Sequence, residues 1–144
     1  MKKFMMLVSL FCLPLLSQAA DLNGMWVGYY AYDAGGPTTP VPCSMVLHHE
    51  LDDEISGASV EPQTFGDSIE PGMPADIAGY LKGNTLDFEK YYFHDDEDAE
   101  GVRYVLTVSS DGNSLTGRWK IGDTMGTAYF RRVTAATVNR IPAP

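Results

Sequence analysis

The chain has 144 residues, 44% of them hydrophobic, with 10 Lys and Arg against 19 Asp and Glu, a formal charge of −9. That length suits one domain. That sign argues against nucleic acid, whose phosphates it would repel.

Residues 1–20 read as a secretory leader, a signal peptide ahead of the folded chain. Lys2 and Lys3 give the positive start, and Phe4 to Leu16 an apolar run too short for a membrane span. Ser17-Gln18-Ala19-Ala20 supplies the small residues of a cleavage site. Cys12 is not placed for lipidation, because Phe11 precedes it. The expectation is a periplasmic or secreted protein with no membrane span. Its one barrel domain covers 21–132, followed by an extended tail over 133–144.

Beyond residue 20 the chain holds 8 basic and 19 acidic residues, a net −11. Such a charge serves solubility, or draws a basic protein partner or a cation. Cys43 is the one cysteine in that part, so no internal disulfide can form. A buried thiol acting as a small hydrophobe and a reactive thiol are both open readings.

No apolar stripe of 3.6-residue period persists for three turns. Short alternating stretches rich in Val, Ile, Tyr, Phe and Trp recur instead, broken by Gly, Asp, Asn, Pro and Ser. They predict eight strands, near 24–33, 42–51, 54–62, 75–82, 85–93, 102–109, 114–121 and 124–132. Gly83-Asn84 and Gly122-Asp123 suit two-residue hairpin turns. Leu51 to Glu54 and Ser110 to Asn113 are short links. Asp33 to Val41, Pro62 to Pro74 and His94 to Gly101 are long. The fold class is therefore all-β, an eight-stranded antiparallel up-and-down barrel whose closure removes both edges. An open two-sheet sandwich is the alternative.

Hairpin register follows from the turns. Gly122-Asp123 sets Trp119 against Gly126, Gly117 against Ala128 and Leu115 against Phe130. Gly83-Asn84 sets Leu81 against Leu86, Gly79 against Phe88 and Ile77 against Lys90. These sets are the more apolar ones and face inward. L-x-G-x-W occurs at 22–26 and again at 115–119. The register makes both tryptophans core plugs beside the last strand, at the seam that closes the barrel.

Alternating the strands puts all three long loops at one end, the mouth, where ligands usually meet a barrel. The side chains in phase there are polar and aromatic. Tyr30, Tyr32, Glu61, Phe65, Lys90, Tyr92 and Tyr104 are the candidate ligand-binding residues, with Cys43, Met45, Ser59 and Val102 beside them. Their ligand would be small and amphipathic or aromatic. Glu61 and Lys90 are both inward on non-adjacent strands. They form either a polar anchor for that ligand or a structural ion pair.

No cofactor or metal site is expected. His48 and His49 are adjacent on a strand and face opposite sides. The acidic run 94–100 lacks the D-x-D-x-D-G spacing of a calcium loop. G-x-S-x-G, H-E-x-x-H, C-x-x-C and the P-loop are missing, so no enzyme is read from the chain. The charge supports a second reading, an acidic inhibitor or immunity-type protein for a basic exported enzyme.

The stretches GMWVGYYAY (24–32), PVPC (40–43), EPQTFG (61–66), ADIAGYLKGNTLDFEKY (75–91), VRY (102–104), DGNSLTGRWKI (111–121) and FRR (130–132) carry a resemblance. In them the chain resembles a family of small exported bacterial proteins to which no activity is attached. Loop 94–101 departs from that pattern, with acids in place of glycines. More distantly it resembles lipocalins and avidins (calycin-like barrels), which open with G-x-W on the first strand. That likeness implies a basic residue, Arg131 or Arg132, over Trp26. The lipocalin T-D-Y signature is missing. Gly28 stands where avidins place an asparagine, so biotin is not implied.

Overall fold

The alternating stretches become eight strands in a computed structural model that describes residues 20–63, 72–93 and 100–134. They are β1 (Gly24–Tyr32), β2 (Val41–His49), β3 (Glu54–Glu61), β4 (Met73–Lys82), β5 (Thr85–Tyr92), β6 (Val102–Val108), β7 (Ser114–Ile121) and β8 (Thr124–Arg132). Each pairs antiparallel with the next, and β8 pairs with β1, closing the barrel. The sandwich alternative falls with that closure. Among the described residues no helix is long and apolar enough to cross a membrane.

Both predicted hairpin registers are present: Trp119 pairs with Gly126, Leu115 with Phe130, Gly79 with Phe88 and Ile77 with Lys90. In the two tight turns only the glycines, Gly83 at φ 64° and Gly122 at φ 52°, take positive φ. That is the pattern of a type II′ hairpin, whose first central residue alone needs it. Strand β2 ends two residues short of the expected Leu51. Glu50 and Asp53 join in a turn there, with Asp53 at φ 65°.

The barrel is a packed core at its short-loop end. Leu22, Trp26, Leu86, Leu106, Leu115 and Phe130 are all essentially inaccessible to solvent. Leu22 closes that end, its carbonyl accepting from Trp26 Nε1 at 3.1 Å. Arg132 lies outside as a clamp. Its guanidinium carbon sits 4.5 Å from the Trp26 ring centroid. Its N–H groups donate to the carbonyls of Asp21, Asn23 and Gly112. The basic residue over the first tryptophan is thus Arg132; Arg131 points to solvent.

The two tryptophans do flank β8, but not as neighbours. Trp26 lies opposite Arg132 at one end of β8 and Trp119 opposite Gly126 at the other. One plugs the floor; the other belongs to the mouth. The reason is position along the strand. β1 and β7 both run toward the mouth, but Trp26 stands early in its strand and Trp119 late.

Candidate functional site

All three long connections leave from one end of the barrel, where β1, β3, β5 and β7 finish. Inward positions just below that rim carry Tyr30 and Tyr32 (β1), Cys43 (β2), Ser59 and Glu61 (β3), Lys90 and Tyr92 (β5), Tyr104 (β6) and Trp119 (β7). Six of the seven candidate residues are therefore brought together. Phe65 lies outside the described residues, as do residues 1–19, where the sequence predicts a leader, the loop residues 94–99 and residues 135–144.

Glu61 and Lys90 meet at 2.7 Å across β4, where they pair with Met73 and Ile77, and the inward residue between those two is the small Ala75. Their side chains are 0% and 2% exposed. The second carboxylate oxygen of Glu61 accepts from Tyr30 Oη at 3.0 Å and Tyr92 Oη at 2.5 Å. The Lys90 ammonium sits 4.7 Å from the Tyr92 ring centroid, 5.3 Å from Tyr30 and 5.5 Å from Tyr104. Ring faces are negative, so the cation has a carboxylate on one side and π-faces on others. This is how the ion pair survives burial: every strong charge has a designed partner.

Burial also governs the neighbouring protons. It pushes the Cys43 thiol up to about 12, an effect to which Glu61 adds and which Lys90 opposes. Cys43 therefore stays a thiol at neutral pH and is no nucleophile. Burial first, then the Glu61 charge, raises Tyr92 far above the usual phenol range. Tyr104 is raised by burial as well, and it stacks on Phe88 at 4.9 Å, nearly parallel. Ser59 Oγ is buried with no hydrogen-bond partner among the described residues.

Trp119 is the residue that the sequence reading left out of the site. It packs edge-on to Tyr32 (4.8 Å) and Tyr30 (5.7 Å), and its Nε1 donates to the Ala31 carbonyl at 3.1 Å. Gly126 makes this possible, because a Cβ there would fall 2.6 Å from Trp119 Nε1 and 1.8 Å from Ala31 O. The signal was available in the register, which paired Trp119 with Gly126 near the Gly122 turn.

The rings nearly fill the mouth. The space left between Tyr32, Tyr92, Trp119 and Ile121, above Lys90, is about 50 Å³. A water's share of liquid is about 30 Å³, so one or two fit. Pockets for drug-sized ligands run to about 300 Å³ and more. Tyr32 and Tyr92 are only partly buried, whereas Tyr30, Tyr104, Glu61 and Lys90 are closed off. Among the described residues, a ligand entering this space would meet Tyr32, Tyr92 and Ile121 before the buried Trp119.

Fold and site together define a class: a closed eight-stranded antiparallel β-barrel with a buried ion pair ringed by tyrosines at its long-loop end. Searches against family models, curated proteins and solved structures find no match to this chain.

Proposed function

We propose that this protein is an exported binding module that takes a small aromatic or amphipathic ligand at the mouth of its barrel. The observation that carries the reading is the position of the Glu61–Lys90 pair. A pair buried for stability alone gains little over apolar residues of the same volume. This one stands at the end where the long loops gather, under a lid of half-buried rings. The lipocalin- and avidin-like motifs of the sequence support the same reading. A ligand ring would take the place of Tyr32 or Tyr92, stack on Trp119, and bring its polar end toward Lys90 and Glu61. Export rests on the leader read over residues 1–20.

A thermal-shift and native mass-spectrometry screen of small aromatic and amphipathic compounds tests it. At least one compound class should stabilise the wild type. Tyr92→Phe, which keeps the ring and loses the hydroxyl that ties it to Glu61, should give way more easily and bind more tightly, whereas Lys90→Met should bind more weakly. No stabilising class, or equal binding by Tyr92→Phe and Lys90→Met, would refute the reading.

The excess of 19 acids over 10 bases favours a second reading, an acidic inhibitor of a basic exported enzyme. Capture of a basic protein from periplasmic extract, lost at high salt, would support it. Salt-insensitive capture would count against it.

A further inference from the structure

The outside of the barrel is two-sided. On β5, β6 and β7 the outward rows mix signs in the ordinary solvated way: Asp87, Val105 and Arg118 stand side by side, as do Glu89, Arg103 and Lys120. On β1, β2 and β3 they do not. Met25, Val27, Tyr29, Val46 and Val60 point outward there at 38–51% exposure, with Pro42, Ser44 and Ala58 between them. The one charged outward residue of these strands is Glu54, at the far end beside His48 and Ser56.

We propose that this face is where a second copy of the chain docks, forming a two-fold dimer. Three observations point to a copy of itself. The first is charge. Each chain carries 19 acids against 10 bases, so two copies repel over most approaches, and the uncharged face is where they can close. The second is extent. Five large apolar side chains form one patch with the small residues among them on three adjacent strands. Such a patch would make the centre of an interface, which in a standard complex buries roughly 800 Å² on each partner.

The third is shape. The register sets two rows side by side, Met25–Val46–Ala58 and Val27–Ser44–Val60. Ser44 lines a groove of about 340 Å³ with Val27, Pro42 and Val60, which runs on to Glu61, Pro62 and Gly72. Val46 stands half exposed in the next row. A two-fold axis crossing β2 between the rows lays Val46 over Ser44 of the partner subunit, and the reverse. It also lays Ala58 over Val60 of the partner subunit. The same axis lays Met25 over Val27 of the partner subunit, so large meets small on β2 and β3 and apolar meets apolar on β1, as an isologous contact requires. The mouth stays open at the end of each barrel, so this proposal does not depend on the ligand reading.

Sedimentation velocity of the full chain, over a concentration series from micromolar upward, reads the result. The wild type should move from monomer to dimer, and added salt should favour the dimer by screening the net charge. Val46→Lys or Ser44→Asp alone should weaken the dimer about tenfold or more. Circular dichroism should show both variants folded, since both positions lie outside the core. Mixed together, the two variants should recover a heterodimer, because residue 46 of one copy faces residue 44 of the other. A wild type that stays monomeric at every concentration overturns the proposal. So does a dimer that Val46→Lys leaves intact, or a mixture no tighter than its components. A monomer that dimerises only once residues 135–144 are deleted also overturns it, by giving the face to the chain's own tail.

Discussion

Removing one partner of the Glu61–Lys90 pair should cost far more than removing both. With their charged atoms 2.7 Å apart, the Coulomb attraction is about 6 kcal/mol at an effective dielectric near 20. Much of that offsets the cost of taking both ions out of water. Lys90→Met leaves the Glu61 carboxylate buried with the Tyr30 and Tyr92 hydroxyls donating to it and no cation beside it. Glu61→Gln leaves the Lys90 ammonium over three rings with no carboxylate. Each single change should lower stability by about 3–5 kcal/mol, a large share of the 5–15 kcal/mol available to a domain. Glu61→Gln with Lys90→Met should recover about 2 kcal/mol or more relative to the sum of the singles. Urea unfolding followed by circular dichroism measures all four proteins. If Lys90→Met costs under about 1 kcal/mol, or the two changes are additive, the pair is not coupled and the reasoning fails.

Three further outcomes follow from the same structure. Cys43 is held at about 12 against an ordinary value of 9.0 by burial, and a raised folded value means stability is full below pH 9 and falls as pH rises through 12. The loss from Cys43 should approach 1.4 kcal/mol per pH unit within that window, with Tyr92 and Tyr104 adding to it in the same direction. Urea midpoints from pH 7 to about 11 check this, and Cys43→Ala should flatten the slope. Arg132→Met removes the cation over Trp26 and donors to three carbonyls, and should cost about 2–3 kcal/mol. Arg131→Met, on the exposed side, should change stability by under about 0.5 kcal/mol; equal losses would show that the clamp is not where the structure places it. Ser59→Ala removes a buried hydroxyl with no partner among the described residues, so it should be neutral or raise the melting temperature slightly. A loss above about 1 kcal/mol would show that the hydroxyl is hydrogen-bonded.

Much of this is legible in the sequence. Period-two alternation fixed which side chains face inward, because a one-residue slip would have turned Leu81, Phe88 and Lys90 outward together. Two-residue turns then set register, and chain direction sorted long loops from short. Glu61 and Lys90 were found that way, from phase alone. What phase could not give was depth along the barrel axis. Trp26 and Trp119 share a motif, a face and a neighbouring strand, yet they stand at opposite ends of it. Nor could alternation tell a cavity from a plug, since inward tyrosines serve either. That distinction depends on ring rotamers, which leave about 50 Å³ here. The outward face was in the pattern too: Val27, Val46 and Val60 sit at solvent positions where alternation predicts polar residues.

The central claim is that the mouth, and not another surface, holds the ligand. Side-chain NMR of the wild type during titration with a stabilising aromatic compound tests it most directly. The account predicts shifts concentrated on the Tyr32 and Tyr92 rings and the Trp119 indole, with the Trp26 indole at the floor unmoved. Equal shifts at Trp26, or shifts gathered on Met25, Val46 and Val60 of the outer face, would contradict it.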